Sequence, residues 1–182
     1  MVLYILSIKA ELDGVEKIEL DPTANLCFDI RNPNSDYETR EKIVVDPKEY
    51  VQDADDNNSS REPPCHFKIT WEGSKKKSVL TILNQDEVKT ALKKSKQKNS
   101  SSNIRNVKAE DTNEYVPILA METRGIEPYA FHCMGGEFIV TSTGGTVFTG
   151  DDVDLSQDYA DYDEEHDISV SITDVFFKID AI

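Results

Sequence analysis

Soft metal ligands and general bases are scarce in this chain: Cys27, Cys65, His66, His132, Cys133 and His166 are all the cysteines and histidines it has. Cys65-His66 and His132-Cys133, with Cys27, offer nitrogen and sulfur donors of the kind zinc or copper takes. Each pair is adjacent in sequence within a run that reads as a strand, and neighbours on a strand point to opposite faces. One pair therefore rarely closes on a single ion, and buried free cysteines usually act as small hydrophobes. No bound metal is expected; Cys27, Cys65, His66, His132 and Cys133 are the residues that would hold one. Three cysteines form an odd, sparse set without a disulfide framework, which fits a reducing compartment, the cytoplasm and also the nucleus.

Acid–base chemistry would draw on Asp161, Asp163, Glu164 and His166. These crowd an acidic stretch, residues 151–167, that reads as an exposed loop, where carboxylates stay solvated rather than tuned. Ser142 and Ser169 lack the motif of a nucleophile elbow. No phosphate-binding glycine motif or HExxH pattern occurs. A nucleophile, a base and an oxyanion-binding group cannot be assembled from named residues, so the expectation is a non-enzymatic protein.

A third feature is Glu122-Thr-Arg-Gly-Ile-Glu-Pro128, between the apolar run Val116–Ala120 and a glycine-bounded hairpin. Gly125 supplies a backbone conformation closed to other residues, and Pro128 ends ladder pairing on one side. Arg124 and Glu127 can bond turn backbone groups or one another, and Arg124 can also reach a carboxylate of the acidic C-terminal stretch. The rival reading leaves Arg124 exposed for an anionic ligand. Arg124, Gly125, Glu127 and Pro128 are the signature residues of the chain.

The elements around these residues are short strands. Val2–Leu12 alternates, with Tyr4, Leu6, Ile8 and Ala10 on one face and Leu3 and Ile5 on the other. Further strands are predicted over residues 15–20, 25–30, 42–45, 65–71, 78–83, 116–121, 138–140, 146–149 and 168–179, with a bulge near Thr173-Asp174. Residues 84–98 carry a capping asparagine, acidic residues in the first turn, an apolar i, i+3, i+4 set (Val88, Ala91, Leu92) and terminal lysines, which together predict one short helix. Residues 46–64 and 98–106 read as polar, loosely held connections. The fold class is all-β, mainly antiparallel, with a two-lobed sandwich or barrel-like architecture and one short inserted helix. The lobes divide at residues 1–108 and 109–182.

The net charge of −15 conceals a polarity along the chain. Residues 68–108 hold 11 basic and 3 acidic side chains, whereas residues 151–182 hold 11 acidic ones and a single lysine. No global field draws nucleic acid or an anionic membrane. The basic stretch also lacks the interleaved aromatics of single-strand binders, with none between Trp71 and Tyr115. No apolar run approaches the roughly 20 residues of a membrane span, and Val2–Ile8 reads as a first strand rather than a signal peptide.

Three blocks carry a resemblance. Ala109-Glu-Asp111 with Glu114-Tyr115, then Thr123 to Phe131, then Asp158-Tyr-Ala-Asp-Tyr-Asp-Glu164 resemble the eukaryotic family of CXXC-motif-containing zinc-binding proteins. Thr123 stands at the cysteine of that family's Cys-Arg-Gly-Leu/Ile-Glu-Pro-x-x-Phe block. Lys9-Ala-Glu-Leu12 adds weaker support, and the helix looks like an insertion. The resemblance implies two CxxC knuckles on two hairpin turns, enough for a closed structural zinc site. Here those turns are Arg31-Asn-Pro-Asn34 and Thr70-Trp-Glu-Gly73, and neither contains a cysteine. The chain is thus identified as a divergent member lacking the zinc cysteines, with Asn32-Pro33, Trp71 and Gly73 expected to replace the metal by turn chemistry and packing.

The resemblance implies no reaction. The leading functional expectation is a monomeric interaction or structural module, with Tyr159, Asp161, Tyr162 and Asp163 as its contact surface for a partner carrying a basic surface. The tyrosines could equally tie the acidic stretch to the sheet. The alternative function is a metal-handling protein that keeps a degenerate form of the family site.

Overall fold

The computed structural model describes residues 1–35, 38–51, 64–94 and 103–182. Within them lie thirteen strands: β1 Val2–Asp13, β2 Val15–Leu20, β3 Leu26–Arg31, β4 Thr39–Val45, β5 Phe67–Thr70, β6 Lys77–Leu83, β7 Val107–Lys108, β8 Val116–Arg124, β9 Glu127–His132, β10 Phe138–Ser142, β11 Val147–Phe148, β12 Tyr159–Asp163 and β13 Ile168–Ala181. Helix α1 spans Gln85–Lys94, and Ala109–Asp111 forms one 3-10 turn. Every strand pairing is antiparallel. A curled six-stranded sheet runs β12-β13-β1-β8-β6-β5, beside a four-stranded sheet β11-β10-β2-β7 and a three-stranded sheet β4-β3-β9. The all-β architecture with one short helix is as the sequence predicts. Each of the three sheets draws strands from both sides of residue 108.

Strand β1 lies at the centre of the large sheet because both its faces are apolar. Tyr4, Leu6, Ile8 and Ala10 enter the main core with Phe28, Met121, Phe138 and Ile172. Leu3 and Ile5 enter a smaller cluster on the opposite face, with Ala120 and Val88 of α1. The helix therefore covers the second face of a strand whose first face is already buried. Its start is a reciprocal cap. Asn84 Oδ1 accepts from the Asp86 and Glu87 amides at 3.1 and 3.0 Å, and Glu87 Oε2 accepts from the Asn84 amide at 2.9 Å.

Four phenylalanines join the sheets. Phe28 meets Phe131 at 5.4 Å between ring centroids, Phe131 meets Phe177 at 5.0 Å, and Phe177 meets Phe138 at 5.9 Å. Phe28 and Phe131 belong to the three-stranded sheet, Phe177 to the large one and Phe138 to the four-stranded one. Such ring pairs add about 0.5–1.5 kcal/mol each beyond area burial.

The predicted bulge is present: Thr173 pairs with Glu11 and Phe176 with Lys9, so two residues of β13 face one of β1. Asp174, in the bulge, has φ +50°. Three strands were not predicted, the two-residue β7 and the longer β9 and β12. Residues 127–132 read as the exit of a turn but form β9, which pairs with β3. Residues 159–163 read as acidic loop but form β12, the outer strand of the large sheet. The predicted strand 65–71 is shorter, with Cys65 and Trp71 buried just beyond its ends. The supposedly loose connections are fastened where they are described. The Val51 amide donates to the Cys65 carbonyl, the Arg105 amide to the Pro117 carbonyl, and the Arg105 guanidinium binds both Asp111 oxygens at 2.6 and 2.7 Å. Residues 52–63 and 95–102, the centres of those connections, lie outside the described residues.

Candidate functional site

Three turns meet at one end of the large sheet. The β3–β4 turn brings Asn32 and Asn34, the β5–β6 turn brings Trp71 to Lys76, and the β8–β9 turn brings Arg124 and Gly125; together they line a cleft of about 990 Å³. Each turn has a local cause. Asn32 Oδ1 accepts from the Asn34 amide at 3.0 Å, an Asx turn set by Asn-Pro-Asn. The Ser74 amide donates to the Trp71 carbonyl at 3.0 Å, with Gly73 at φ +72°. Gly125 has φ +70°, and a Cβ there would stand 2.4 Å from Ser78 Oγ, so only glycine fits. Thr123, fully buried, closes this last turn by donating from Oγ1 to the Ile126 carbonyl at 2.6 Å.

Two side chains lock the turns to one another. Trp71, with its ring buried, donates from Nε1 to the Gly125 carbonyl at 2.6 Å, and the Arg40 guanidinium lies over the ring at 5.6 Å. Glu38 joins the β3–β4 turn to the β5–β6 turn. Its Oε2 accepts from Asn32 Nδ2 at 2.6 Å and its Oε1 accepts from the Glu72 amide at 2.8 Å. A single carboxylate thus spans the two turns at which the family resemblance places zinc knuckles. The side chains those turns offer are amides, an indole and carboxylates. Both Glu38 oxygens are already accepting, so this donor set does not fit a closed thiolate zinc site.

The signature residues separate into two roles. Glu127 does not pair with Arg124: its Oε1 accepts from Arg31 Nη2 at 2.6 Å, and this hydrogen bond holds the Glu127 carboxyl below the usual range against the effect of burial. Pro128 is buried within β9 opposite Ile30, and β9, at the edge of its sheet, is paired on the β3 side only. Arg124 is exposed at the rim of the cleft.

The residues singled out as metal ligands are dispersed. Cys27 and His132 face each other across β3 and β9, and His132 Nε2 lies 2.8 Å from Asp29 Oδ2. His66 is buried, its Nδ1 accepts from the Ile82 amide at 2.9 Å and its ring stacks on Tyr50. Burial pushes its pKa down. Burial and nearby Glu137 push the Cys133 thiol far up, away from the thiolate a metal needs. Among the described residues no three His, Cys, Asp or Glu side chains gather as a metal site.

The proposed contact surface is split: Tyr159 and Asp163 are buried, whereas Asp161, which accepts from the Tyr159 hydroxyl at 3.0 Å, and Tyr162, on the other face of the strand, are exposed. Asp163 anchors a network. Ser142 Oγ donates to its Oδ2 at 2.5 Å, Thr146 Oγ1 donates to its Oδ1 at 2.8 Å, and His166 Nδ1 lies 3.1 Å from both oxygens. Burial opposes the charge on Asp163, yet these hydrogen bonds prevail and hold its pKa at about 2. Serine, aspartate and histidine meet here in the wrong order for nucleophilic catalysis. The serine donates to the aspartate, and its oxygen accepts from the Gly144 and Thr146 amides. Gly144 is required because a Cβ would fall 2.5 Å from His166 Cγ.

Sequence reasoning missed what Glu38, Arg31 and Ser142 bond, and the Arg105–Asp111 pair. The partners of Glu127, of Asp163 and of the Glu72 amide are distant in sequence and are brought together only by the folded topology.

The fold and sequence have relatives. A model of eukaryotic CXXC motif containing zinc binding proteins matches residues 5–180. The CXXC motif containing zinc binding proteins of Bos taurus and Rattus norvegicus are each 38% identical to this chain over 76 residues, 41% of this chain. The aligned stretch spans 46% of the length of those curated relatives. A hypothetical protein from Plasmodium falciparum superposes with a TM-score of 0.75 at 26% identity, covering 99% of this chain and all of that one. The crystal structure of C1orf123 superposes with a TM-score of 0.76 at 19% identity over 99% of both chains, a likeness of fold.

Proposed function

The chain belongs to the eukaryotic family of CXXC motif containing zinc binding proteins, and we propose that it serves as a non-enzymatic interaction module that docks a basic protein segment on its acidic edge. The observation that carries this reading is the division of labour along β12. Tyr159 and Asp163 are buried and fasten the strand, while Asp161 and Tyr162 are exposed on the outermost strand of the large sheet. Asp158, Glu164, Glu165 and Asp167 are exposed beside them. Tyr162 donates its hydroxyl to Asp167, which orients the ring before any partner arrives. A preordered aromatic anchor among carboxylates suits a lysine- or arginine-bearing segment, by steering and by cation–π contact.

The serine–aspartate–histidine network supports the non-enzymatic part of the reading, since its hydrogen bonds consume the groups a reaction would need. No helix of the described residues is long and apolar enough to cross a membrane. A monomer working in the cytoplasm or nucleus without a metal cofactor completes the proposal, with Glu38 doing mechanically what zinc would do for the two turns.

The test uses a fluorescent lysine- and arginine-rich peptide titrated into the full chain. Asp161→Asn, Glu164→Gln and Glu165→Gln combined should weaken binding about tenfold at low salt, and the difference should shrink as screening increases. Equal affinity for the parent and the neutralised variant would remove the acidic edge from consideration.

A further inference from the structure

A second, smaller cleft of about 280 Å³ shares no described lining residue with the cleft between the three turns. Leu20 of β2, Leu26 of β3, Ile82 of β6 and Leu119 of β8 form its apolar wall, so all three sheets contribute. Its volume is close to the roughly 300 Å³ at which small-molecule sites begin. The charged groups around it are of one sign. Asp21 and Glu87 line it, and among its described lining residues there is no lysine or arginine. Asp46 lies close enough to act, with Glu87, on the charge of His66. His66 brings no compensating charge. It is buried, its Nδ1 accepts from the Ile82 amide at 2.9 Å, its ring also hydrogen-bonds the Pro47 backbone, and burial pushes its pKa down. Both lining carboxylates keep one oxygen unused. Asp21 Oδ1 accepts from the Thr23 amide and hydroxyl at 2.8 and 2.7 Å, and Glu87 Oε2 accepts from the Asn84 amide at 2.9 Å. Asp21 Oδ2 and Glu87 Oε1 have no hydrogen-bond partner among the described residues. Tyr50, half exposed and stacked on His66 at 4.5 Å between centroids, adds an aromatic ring to the lining.

We propose that this cleft binds a protonated amine with an apolar body, the body against the leucine and isoleucine wall and the ammonium at Asp21, Glu87 and the Tyr50 ring. An ammonium has three donors and no acceptor, which suits carboxylate oxygens that only accept, and a tyrosine ring attracts it through the ring quadrupole. A neutral apolar ligand would strip water from the carboxylates without replacing it, and an anion would be repelled by them. The residues differ from those of the acidic edge on β12, so the two readings fail separately.

The isotope-labelled full chain is titrated with hexylamine, hexanol and hexanoate, and NMR shifts are followed at the Ile82, Leu83 and Asn84 amides. Hexylamine should give saturable shifts there and bind about tenfold more tightly than hexanol, with no response to hexanoate. Asp21→Asn and Glu87→Gln combined keep the acceptors that Thr23 and Asn84 use. The double variant should lose the preference for the amine while binding hexanol as the parent does. Tyr50→Leu should weaken hexylamine about two- to fivefold. Asp161→Asn, on β12, should change nothing and so separates this cleft from the acidic edge. A blocked Leu-Lys-Leu peptide that binds more tightly than hexylamine identifies a lysine of a protein segment as the source, and one that binds no more tightly identifies a free amine; either outcome supports the site. Equal binding of hexanol and hexylamine, an undiminished preference in the double variant, or shifts confined to residues outside the cleft would overturn it. Should the double variant lose hexanol binding as well, the parent decides: a preference for the amine that does not shrink with added salt sinks the proposal, and one that shrinks upholds it.

Discussion

Glu38 ties two of the three turns together. Its carboxylate accepts from the Asn32 side chain on one side and from the Glu72 backbone on the other. The strength of that tie can be set beside that of a structural metal. Two charge-assisted hydrogen bonds in a partly exposed setting contribute about 1–2 kcal/mol, far below the roughly 10 kcal/mol or more of a structural zinc. Glu38→Ala should therefore lower the unfolding free energy by about 1–2 kcal/mol. Glu38→Gln should lie between, because its amide keeps one acceptor and loses the other. A strong chelator should leave the thermal midpoint of the parent unchanged, and elemental analysis should find no stoichiometric zinc. A chelator-induced fall in midpoint, or about one zinc per chain, would return attention to Cys27 and His132, the facing pair.

At the scale of elements, legibility in the sequence followed the distribution of apolar side chains. Strand β1 was readable on both faces because its two apolar sets enter two separate clusters, and α1 was readable through Asn84, Glu87 and its i, i+3, i+4 stripe. Strand β12 was not readable, because the inward position that alternation requires to be apolar is Asp163, a carboxylate buried on four hydrogen-bonding partners instead of an aliphatic side chain. Strand β9 was hidden by Pro128, which argues against a central strand until β3 is known to lie on only one side of it. The same nonlocality concealed the cleft: its three walls are each a recognisable turn, but nothing local brings them together. The phenylalanine series across the three sheets ranks the elements energetically. Phe131 is its pivot, touching both Phe28 and Phe177, so Phe131→Ala should cost about 3–5 kcal/mol. Asn84→Ala removes a cap from a helix that covers only a satellite cluster and should cost about 1 kcal/mol. Urea unfolding of the two variants separates them, and comparable losses would mean that the sheets do not share one core.

The whole molecule is an acidic body whose carboxylates play two opposed parts, and its response to pH should separate them. The exposed acids of the C-terminal stretch repel one another in the compact state. The bonded ones act the other way. Asp163, Asp111 and Glu127 all have carboxyl pKa values below their ordinary range, through hydrogen bonds from Ser142, Thr146 and His166, from Arg105, and from Arg31 respectively. A depressed folded-state pKa contributes stability that is complete above the unfolded value and is lost as pH falls towards the folded one. For Asp163 that window runs from about 4, the unfolded value, down to about 2. His66 adds an earlier loss of the same sign, since burial lowers its pKa and the unfolded chain takes up a proton from about pH 6.5 downward. Stability measured by urea unfolding should therefore fall modestly as pH drops through about 6.5, the His66 contribution, and then fall steeply below about 4. Asp163→Asn keeps the size of the side chain and removes its titration. The variant should start less stable at neutral pH, yet decline less between pH 4 and 2 than the parent does. Parallel decline of the two would assign acid sensitivity to the other carboxylates and leave the Asp163 network a matter of packing alone.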